Sequence, residues 1–434
     1  MRFIADFHTH SHYSRATSPE MNVAGLTRWA QLKGTTLIGT GDFTHPEWFG
    51  EMRETLEPAE EGLFKLSDAE EREIAREVPE RCRAAMRFLL TVEVSTIYKR
   101  AGRVRKVHSL ILAPSFAVAA KINDALRRIG NIASDGRPIL GLDTEELLKI
   151  VLDASSECVL IPAHAWTPHF AVFGSASGFD SLEEAFGENA KYIYAIESGL
   201  SSDPAMNWRL SALDRIALVS NSDAHSPRKL GREANVFKTE LSYRAVTDAL
   251  KRNDAQDFES TIEFYPEEGK YHLDGHRLCK ARLNPDETLA RGGLCPVCGK
   301  AVTVGVLSRV DSLADNPAGR RPAGARPFRS IVPLPEIIAE ALEVGPQSKR
   351  VDERYFALLA AIGNEFHVLL DAPIEDIARA STPLIAEAVR RVRSGQVHIS
   401  PGYDGEYGTV RIFDDGEREA FAAGAASAQG TLFV

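Results

Sequence analysis

The chain has 434 residues, of which 44% are hydrophobic and 26% charged, and its formal net charge at pH 7 is −10. This length is sufficient for two or three domains with separate hydrophobic cores. No apolar run approaches the roughly 20 residues that a membrane-spanning helix needs, and the amino terminus lacks the basic and apolar segments of a secretion signal. We therefore expect a cytoplasmic protein without a membrane partner.

Residues 1–265 alternate short apolar runs with stretches of helical spacing. This alternation is typical of parallel strands that are joined by crossover helices. Ser67 and Asp143 stand where helix N-caps are expected. The predicted strands are 2–7, 35–40, 88–97, 107–113, 158–163, 192–197, 216–221 and 260–265. The predicted helices are 67–88, 115–129, 143–154, 180–190, 204–213 and 242–252.

Residues of metal-ligand type stand at the ends of most predicted strands. His8 and His10 follow the first strand one residue apart, on the same side of an extended backbone. Because the carboxyl ends of barrel strands gather at one mouth, this placement favours a β/α barrel with a metal site at its top over a flat, doubly wound sheet. For any single histidine, a hydrogen-bonded place in the core is the alternative. The other candidates are Asp42, His45, Glu93, His108, His164, Glu197, Asp223 and His225.

A different pattern begins after residue 265. His276 and Cys279 form a HisxxCys pair ahead of the CysxxCys pair Cys295 and Cys298, a spacing typical of a structural zinc ribbon. His272 is a competing fourth ligand, and reduced cysteines beside solvated histidines are the alternative without a metal. A β-like run, 301–307, follows, and helical patterns return over 333–393. We divide the chain into a catalytic barrel, a zinc module with a basic linker, a helical domain and a flexible tail, at 1–265, 266–330, 331–420 and 421–434.

Two groups of residues are candidates for contact with nucleic acid. In the loop after the ligand-type His164, Trp166 and His169 could stack on a nucleotide, and packing of the aromatic side chains against the barrel rim is the alternative. The net charge does not exclude such a partner, because bound cations would neutralise ligand carboxylates and the location of positive charge matters more than its total. The linker supplies arginines that we expect to follow phosphates, unless the loop is simply solvated: Arg309, Arg320, Arg321, Arg326 and Arg329.

The HisxHis and AspxHis pairs, together with the ligand-type residues between them, resemble the polymerase and histidinol phosphatase (PHP) superfamily over residues 1–265. The resemblance implies a distorted β/α barrel that holds two or three divalent metals and hydrolyses phosphoesters. Zinc, manganese or magnesium would fit, and the number of histidines favours zinc or manganese. The catalytic residues implied by the resemblance are His8, His10, Glu93 and Asp223.

The resemblance also assigns the individual ligands. His8, His10 and Asp223 would bind one metal, Glu93 would bridge two metals, and the second metal would be completed by His108 and His164.

His225 would belong to a third metal, and here the chain departs from the superfamily. Phe43 follows Asp42 where a histidine is usual, and Ala16 replaces a further histidine. Asp42 and His45 are the candidate substitutes. Glu197 is either a ligand or a group that orients a histidine.

The barrel, the ribbon, the helical region and the segment ProGlyTyrAspGlyGluTyrGly at 401–408 together resemble the endonuclease Q family across nearly the whole chain. This resemblance implies a metal-dependent DNA repair enzyme that nicks damaged DNA on the 5' side of hypoxanthine, uracil, xanthine and abasic sites. No GxxxxGK[ST] phosphate loop is present, which excludes a helicase motor. The alternatives are a phosphoesterase acting on a small phosphate monoester or on DNA 3' ends, and a non-enzymatic DNA-binding protein.

The last residues carry one short motif. Gln429, Leu432 and Phe433 resemble the GlnxxLeuPhe pattern with which bacterial repair and replication proteins bind the sliding clamp. Its terminal position on a tethered tail favours clamp binding, and a tail without a function is the alternative.

Overall fold

The computed structural model describes residues 1–421, which form a mixed α/β structure around an 11-stranded sheet. The predicted α/β class is confirmed. No helix within this part of the chain is long and apolar enough to cross a membrane. The strands are β1 (Arg2–Asp6), β2 (Leu37–Gly39), β3 (Leu56–Pro58), β4 (Phe64–Leu66), β5 (Arg87–Arg100), β6 (Arg103–Ala113), β7 (Ile139–Leu140), β8 (Val159–Pro162), β9 (Ala195–Glu197), β10 (Ala217–Val219), β11 (Ala234–Lys238), β12 (Phe258–Glu263), β13 (Asp274–His276), β14 (Ala281–Leu283), β15 (Phe328–Ser330), β16 (His398–Ser400) and β17 (Thr409–Arg411).

The α-helices lie between these strands and, in the last third of the chain, beside one another. They are α1 (Val23–Lys33), α2 (Pro46–Thr55), α3 (Asp68–Ala75), α4 (Phe116–Arg127), α5 (Thr144–Ala154), α6 (Leu182–Phe186), α7 (Pro204–Asn207), α8 (Tyr243–Arg252), α9 (Pro285–Ala290), α10 (Val306–Leu313), α11 (Leu334–Leu342), α12 (Lys349–Ala361), α13 (Ile374–Ala380) and α14 (Pro383–Arg393).

The central sheet mixes parallel and antiparallel pairs. Its path is β15-β12-β11-β1-β2-β5-β4-β3, and β6 joins β5 to β8. Strand β1 is parallel to β2 but antiparallel to β11, and β5 and β6 form a long antiparallel hairpin. The expectation of uniformly parallel strands is therefore wrong. Apolar periodicity does not encode strand direction, and the tight turn at Ala101 and Gly102, both with positive φ, reverses the chain without a crossover helix.

Two further strands, β9 and β10, form a separate parallel pair that lies next to β8. The Ala165 N–H donates to the Glu197 carbonyl at 2.9 Å, which links the end of β8 to β9. On the other side, the Asn235 side-chain amide in β11 donates to the Ser220 carbonyl after β10 at 2.7 Å. These bonds bring the ends of β1, β8, β9 and β10 beside one another, which positions the candidate site.

Several predicted elements are shorter than expected. The helix predicted over 67–88 stops at Ala75, because Pro79 cannot continue a helix and β5 begins at Arg87. The Ser67 and Asp143 caps are present and accept hydrogen bonds from Glu70 N and Glu145 N. The β-like run 301–307 is also corrected, because α10 begins at Val306, and part of the predicted linker forms strand β15 beside β12.

The carboxyl-terminal helices pack on the first half of the chain through a buried ion pair. Lys33 Nζ, at the end of α1, lies 2.7 Å from Glu365 Oε2, and both side chains are almost fully buried. Glu365 also accepts hydrogen bonds from the Tyr355 hydroxyl at 2.8 Å and from Leu334 N at 3.0 Å. The helical region is therefore held to the sheet region by polar contacts as well as by apolar packing.

Candidate active site

The structure brings His8, His10 and Asp223 together, as the sequence predicts. The three side chains offer ligand atoms that lie within 4.8 Å of one another. His10 Nε2 lies 3.1 Å from Asp223 Oδ1, and His8 Nε2 lies 3.7 Å from the same oxygen. We call this set the first ligand group.

A second ligand group consists of Glu93, His108 and His164, whose ligand atoms also lie within 4.8 Å of one another. Glu93 Oε1 lies 2.7 Å from His108 Nδ1 and 3.0 Å from His164 Nε2. Glu93 and His108 do not stand at strand ends as expected but within the β5–β6 hairpin, where Glu93 pairs with Leu110 and Ser95 with His108. In an antiparallel pair such diagonal neighbours share one face, which explains their contact.

Glu93 connects the two groups. While Oε1 faces His108 and His164, Oε2 lies 3.6 Å from His8 Nε2 and 3.5 Å from His10 Nε2. The side chain is fully buried. Each oxygen of one carboxylate thus faces a different set of imidazoles, which is the geometry that a carboxylate bridging two metals requires.

Buried carboxylates orient the two histidines of the first group. Glu197 contacts His8 Nδ1 at 3.0 Å, and Asp42 contacts His10 Nδ1 at 3.1 Å. In both rings Nε2 is left to face the ligand group, as is usual for metal-binding imidazoles. Of the two alternatives for Glu197, its contacts favour the orienting one.

The position of Glu197 is itself fixed by hydrogen bonds. It accepts from the His164 backbone N–H at 2.7 Å and from the Asn221 side-chain amide at 2.8 Å. Asn221 in turn accepts from Phe7 N at 2.9 Å. One buried network therefore joins the ends of β1, β8, β9 and β10.

The loop that carries Asp223 depends on Asp6, at the end of β1. Asp6 accepts from Ser222 N at 3.0 Å and from Gly231 N at 3.3 Å, and burial raises its pKa to about 6. Asp42, His164 and Asp223 all adopt positive φ. Such backbone strain in non-glycine residues is concentrated at functional sites.

The charges of the cluster stabilise added positive charge. Burial alone would lower the pKa of His10, but Asp42 and Asp223 raise it to about 9. Burial likewise opposes protonation of His8, yet Glu197, Asp223 and Glu93 raise its pKa well above the usual value. At His108, by contrast, burial outweighs the attraction of Glu93 and lowers the pKa to about 4. The strong proton affinity therefore belongs to the first ligand group, where it also favours a metal cation.

The hydrogen-bonding state of one buried atom indicates whether a metal fits between the ligand groups. His8 Nε2 is fully buried and has no hydrogen-bond partner among the described residues, although its Nδ1 is paired with Glu197. An unpartnered buried polar atom is costly, and it points at the carboxylates of Glu93 and Asp223. The donor set of imidazoles and carboxylates thus fits divalent metals.

The residues expected at a third metal are less tightly gathered. The His225 ring lies beside His10, tilted by 45° with 4.5 Å between the centroids, and its Nδ1 lies 3.0 Å from the Asp223 carbonyl oxygen. His45 belongs to neither ligand group; its Nε2 contacts the Ala133 carbonyl oxygen at 3.1 Å and its ring stacks on Tyr13. Asp42 Oδ2 is occupied by hydrogen bonds from Ser11 and Ser14.

Arg137 is a member of the site that sequence reasoning missed. Its guanidinium donates to Glu93 Oε2 at 2.9 Å. The residue stands in an irregular stretch without a recognisable motif, so only the fold reveals this contact.

The chain matches known proteins over different parts of its length. A family model described as the MJ0043 C-terminal domain matches residues 333–396. An uncharacterised Bacillus subtilis protein, YqxK, is 33% identical over 311 residues, which is 70% of this chain and 74% of that protein. An uncharacterised Methanocaldococcus jannaschii protein, MJ0043, is 30% identical over 295 residues, or 65% of this chain, but the match spans only 35% of that relative.

Among solved structures, the lesion-specific endonuclease PfuEndoQ from Pyrococcus furiosus superposes with a TM-score of 0.82 at 32% identity, over 96% of both chains. The chain belongs to the endonuclease Q family. An endonuclease Q complex with a 27-mer duplex, which has an abasic lesion at the active site, superposes with a TM-score of 0.81 at 32% identity, over 96% of this chain and 98% of that one. Membership in the family identifies the chain as a hydrolytic nuclease.

A cavity of about 600 Å³ lies beside the ligand groups. Thr167 lines it and also contacts His164 Nδ1 at 3.1 Å, and Arg232 lines it while donating to the Ser222 carbonyl at 2.8 Å. The walls carry basic and aromatic side chains together with two carboxylates, Glu268 and Glu336. Sequence reasoning missed these basic and aromatic residues because they come from three distant segments: Arg228, Lys229, Arg232, Phe264, Lys270, Tyr271 and Tyr407.

The predicted DNA-contact residues separate into two groups. His169 is exposed and lines the cavity. Trp166, by contrast, is 1% exposed, donates to Asn207 at 2.8 Å and packs on Phe173. The prediction that Trp166 is a free stacking surface is corrected, because its indole belongs to the core.

The linker arginines are mostly engaged within the chain. Arg309 donates to the carbonyls of Phe173 and Phe179, Arg320 to Asp214, and Arg326 to the Phe258 carbonyl. Arg321 lies over the Trp208 ring at 5.6 Å and is exposed. These contacts tie the linker to the sheet region, so the phosphate-contact prediction fits the exposed Arg321 and Arg329 better than Arg309, Arg320 and Arg326.

His276, Cys279, Cys295 and Cys298 form a third group, whose ligand atoms lie within 4.8 Å of one another. Burial opposes the thiolate of Cys295, but the backbone N–H groups of Cys298 and Val297 lower its pKa to about 7. His272 does not belong to this group, and its buried Nδ1 has no partner among residues 1–421. The geometry suits a four-ligand structural zinc. The clamp-motif residues Gln429, Leu432 and Phe433 lie outside the described residues.

Proposed function

We propose that the protein is a metal-dependent DNA repair endonuclease that nicks DNA on the 5' side of deaminated bases and abasic sites. The observation that carries this proposal is the superposition, over 96% of the chain, on an endonuclease Q bound to duplex DNA with an abasic lesion at its active site. The deaminated bases that we propose as substrates are hypoxanthine, uracil and xanthine.

We assign the metal ligands from the contacts. His8, His10 and Asp223 would hold one divalent metal, His108 and His164 a second, and Glu93 would bridge them. Bound metals of this kind supply a water of lowered pKa and neutralise charge on the phosphate oxygens. The histidine-rich donor set favours zinc or manganese.

The surrounding side chains would hold this arrangement rigid. Glu197 keeps the His8 ring turned so that Nε2 faces the cluster, and Asp42 does the same for His10. We therefore propose Asp42 as an orienting residue in place of a third-metal ligand. His225, beside His10, is the remaining candidate for a third metal.

The basic cavity would receive the damaged nucleotide. It adjoins His164 through Thr167 and the Asp223 loop through Arg232. An enzyme that acts at a base inside a duplex turns that nucleotide out, and damaged or baseless positions are the least costly to extrude. The cations Lys229, Arg232 and Lys270 would offset the phosphate charge in a chain whose net charge is −10, whereas Arg228 is already paired with Asp352.

Three further roles complete the proposal. His276, Cys279, Cys295 and Cys298 would bind one structural zinc. His169 would contact the DNA at the cavity rim and Arg321 a phosphate on the linker side. Gln429, Leu432 and Phe433 would bind the sliding clamp, which co-elution with the wild-type protein but not with a Gln429→Ala, Phe433→Ala variant would support.

The test uses labelled duplexes that carry a single hypoxanthine, uracil or abasic site, with Mn²⁺ present. We expect a nick on the 5' side of each lesion, no cut in the undamaged duplex, and loss of nicking in Asp223→Asn with DNA binding retained. Asp124→Asn, an exposed aspartate of α4 paired with Arg127, is the matched control. Release of phosphate from small monoesters without any nick would reject the proposal in favour of a phosphatase.

A further inference from the structure

The segment 401–408 exposes a large aromatic side chain at the wall of the cavity. Tyr407 is 75% exposed. Its neighbour Tyr403, in the same turn, packs so closely on Gly275 that a Cβ there would meet the Tyr403 ring at 2.3 Å. One tyrosine of this segment therefore anchors the turn, and the other is presented to solvent.

The turn that presents Tyr407 is held firmly in place. Gly402 N donates to the Glu267 carbonyl at 2.8 Å, and Gly408 N donates to the Glu268 carbonyl at 3.0 Å. At Gly408 a Cβ would meet the Glu267 carbonyl oxygen at 2.1 Å, so only glycine permits this approach. The backbone on the carboxyl side of Tyr407 is thus pinned to the segment 266–270.

Tyr407 faces the cavity together with a cation. It lines the cavity of about 600 Å³, and Lys270 Nζ lies 5.8 Å from its ring and 5.6 Å from the Tyr271 ring. An exposed aromatic ring on a rigid turn loses little conformational entropy when a planar ligand stacks on it. The ammonium group beside it suits a phosphate next to a stacked base.

We propose that Tyr407 is a positioning residue that stacks on the damaged base in the cavity, while Lys270 binds an adjacent phosphate. This proposal rests on the proposed function, and it identifies a contact by which the enzyme would distinguish base lesions from abasic sites. A hypoxanthine or uracil nucleotide offers a base to stack on, whereas an abasic site offers none. Tyr407 therefore favours base lesions over abasic sites.

The experiment compares the affinity for hypoxanthine and abasic duplexes, measured in EDTA, and their nicking rates with Mn²⁺. In Tyr407→Ala we expect the preference for hypoxanthine over the abasic site to fall about tenfold, as expected for one lost base–aromatic stack, and Tyr407→Phe to restore it. Tyr192→Ala is the matched control, because Tyr192 is also exposed beside a lysine, with Lys191 Nζ 5.3 Å from its ring, but does not line the cavity.

The two proposals fail in different ways. An unchanged ratio in Tyr407→Ala, or equal losses on both duplexes, overturns the stacking role even if the wild-type protein nicks every lesion. Absence of nicking by the wild-type protein rejects the proposed function, while the affinity ratio in EDTA still decides whether Tyr407 stacks on the base.

Discussion

The buried Lys33–Glu365 pair provides a quantitative test of how the helical region is attached. Glu365→Ala removes the partner of Lys33 at 2.7 Å and the acceptor of the Tyr355 hydroxyl and Leu334 N. The Lys33 side chain is 3% exposed, so its ammonium would remain buried without a counter-charge. Breaking a buried pair on one side costs about 3–5 kcal/mol, and we expect the free energy of unfolding to fall by that amount.

An exposed ion pair between the same two regions serves as the control. Arg228 and Asp352 lie 2.7 Å apart, but their side chains are 43% and 32% exposed. Because solvent screens such a pair, Asp352→Ala should cost about 0–1 kcal/mol. The double variant Lys33→Met, Glu365→Leu should recover part of the loss, because it leaves no unpaired charge.

Urea unfolding followed by far-UV circular dichroism measures all four proteins. We predict a much larger decrease in the midpoint urea concentration for Glu365→Ala than for Asp352→Ala, with the double variant between Glu365→Ala and the wild type. Equal decreases for the two single variants would refute it, since burial would then have no influence on the energy of the pair.

Three further predictions concern the zinc module, the cavity and the cluster. Cys298→Ser should lose one equivalent of zinc by elemental analysis, while metal at the two ligand groups remains, because His276, Cys279 and Cys295 leave an incomplete set. Unchanged zinc content would contradict the assignment. Burial and the nearby Glu336 raise the pKa of Glu268 from 4.5 to about 8. As pH rises from 4.5 to about 8, the wild type should therefore lose stability relative to Glu268→Gln, and above pH 8 the difference should stay constant. A difference in melting temperature that does not change with pH would contradict this prediction. Asp42→Asn should weaken Mn²⁺ binding about 10–100-fold in a calorimetric titration, because His10 loses the carboxylate that orients it, and an unchanged affinity would remove Asp42 from the site.

The sequence predicted much of the site because each ligand-type residue stands on or beside an apolar run. His8, His10, Glu93, His108, His164 and Asp223 could be proposed together for that reason, and the structure gathers them. The pairing of the strands could not be predicted, because the β5–β6 hairpin and two parallel strands have the same apolar pattern. The contact between Glu93 and His108 depends on that antiparallel register.

Features that depend on contacts between distant segments could not be predicted from the sequence. Trp166 looked like a surface aromatic because its loop is rich in glycine and serine, but Asn207 and Phe173 enclose it in the core. Arg309 and Arg326 stand in a polar linker, yet their guanidinium groups bind carbonyls of the sheet region. Strand β11 was also missed, and β11 connects β1 to β12 in the sheet.

The central claim is that Glu93 joins two metals held by the histidines and Asp223. Diffraction from crystals loaded with manganese, recorded at the manganese absorption edge, tests it directly. We predict one anomalous peak among His8, His10, Asp223 and Glu93 and a second among Glu93, His108 and His164. Crystals without an anomalous peak at either position, in a protein that still nicks lesion-containing DNA, would contradict the account.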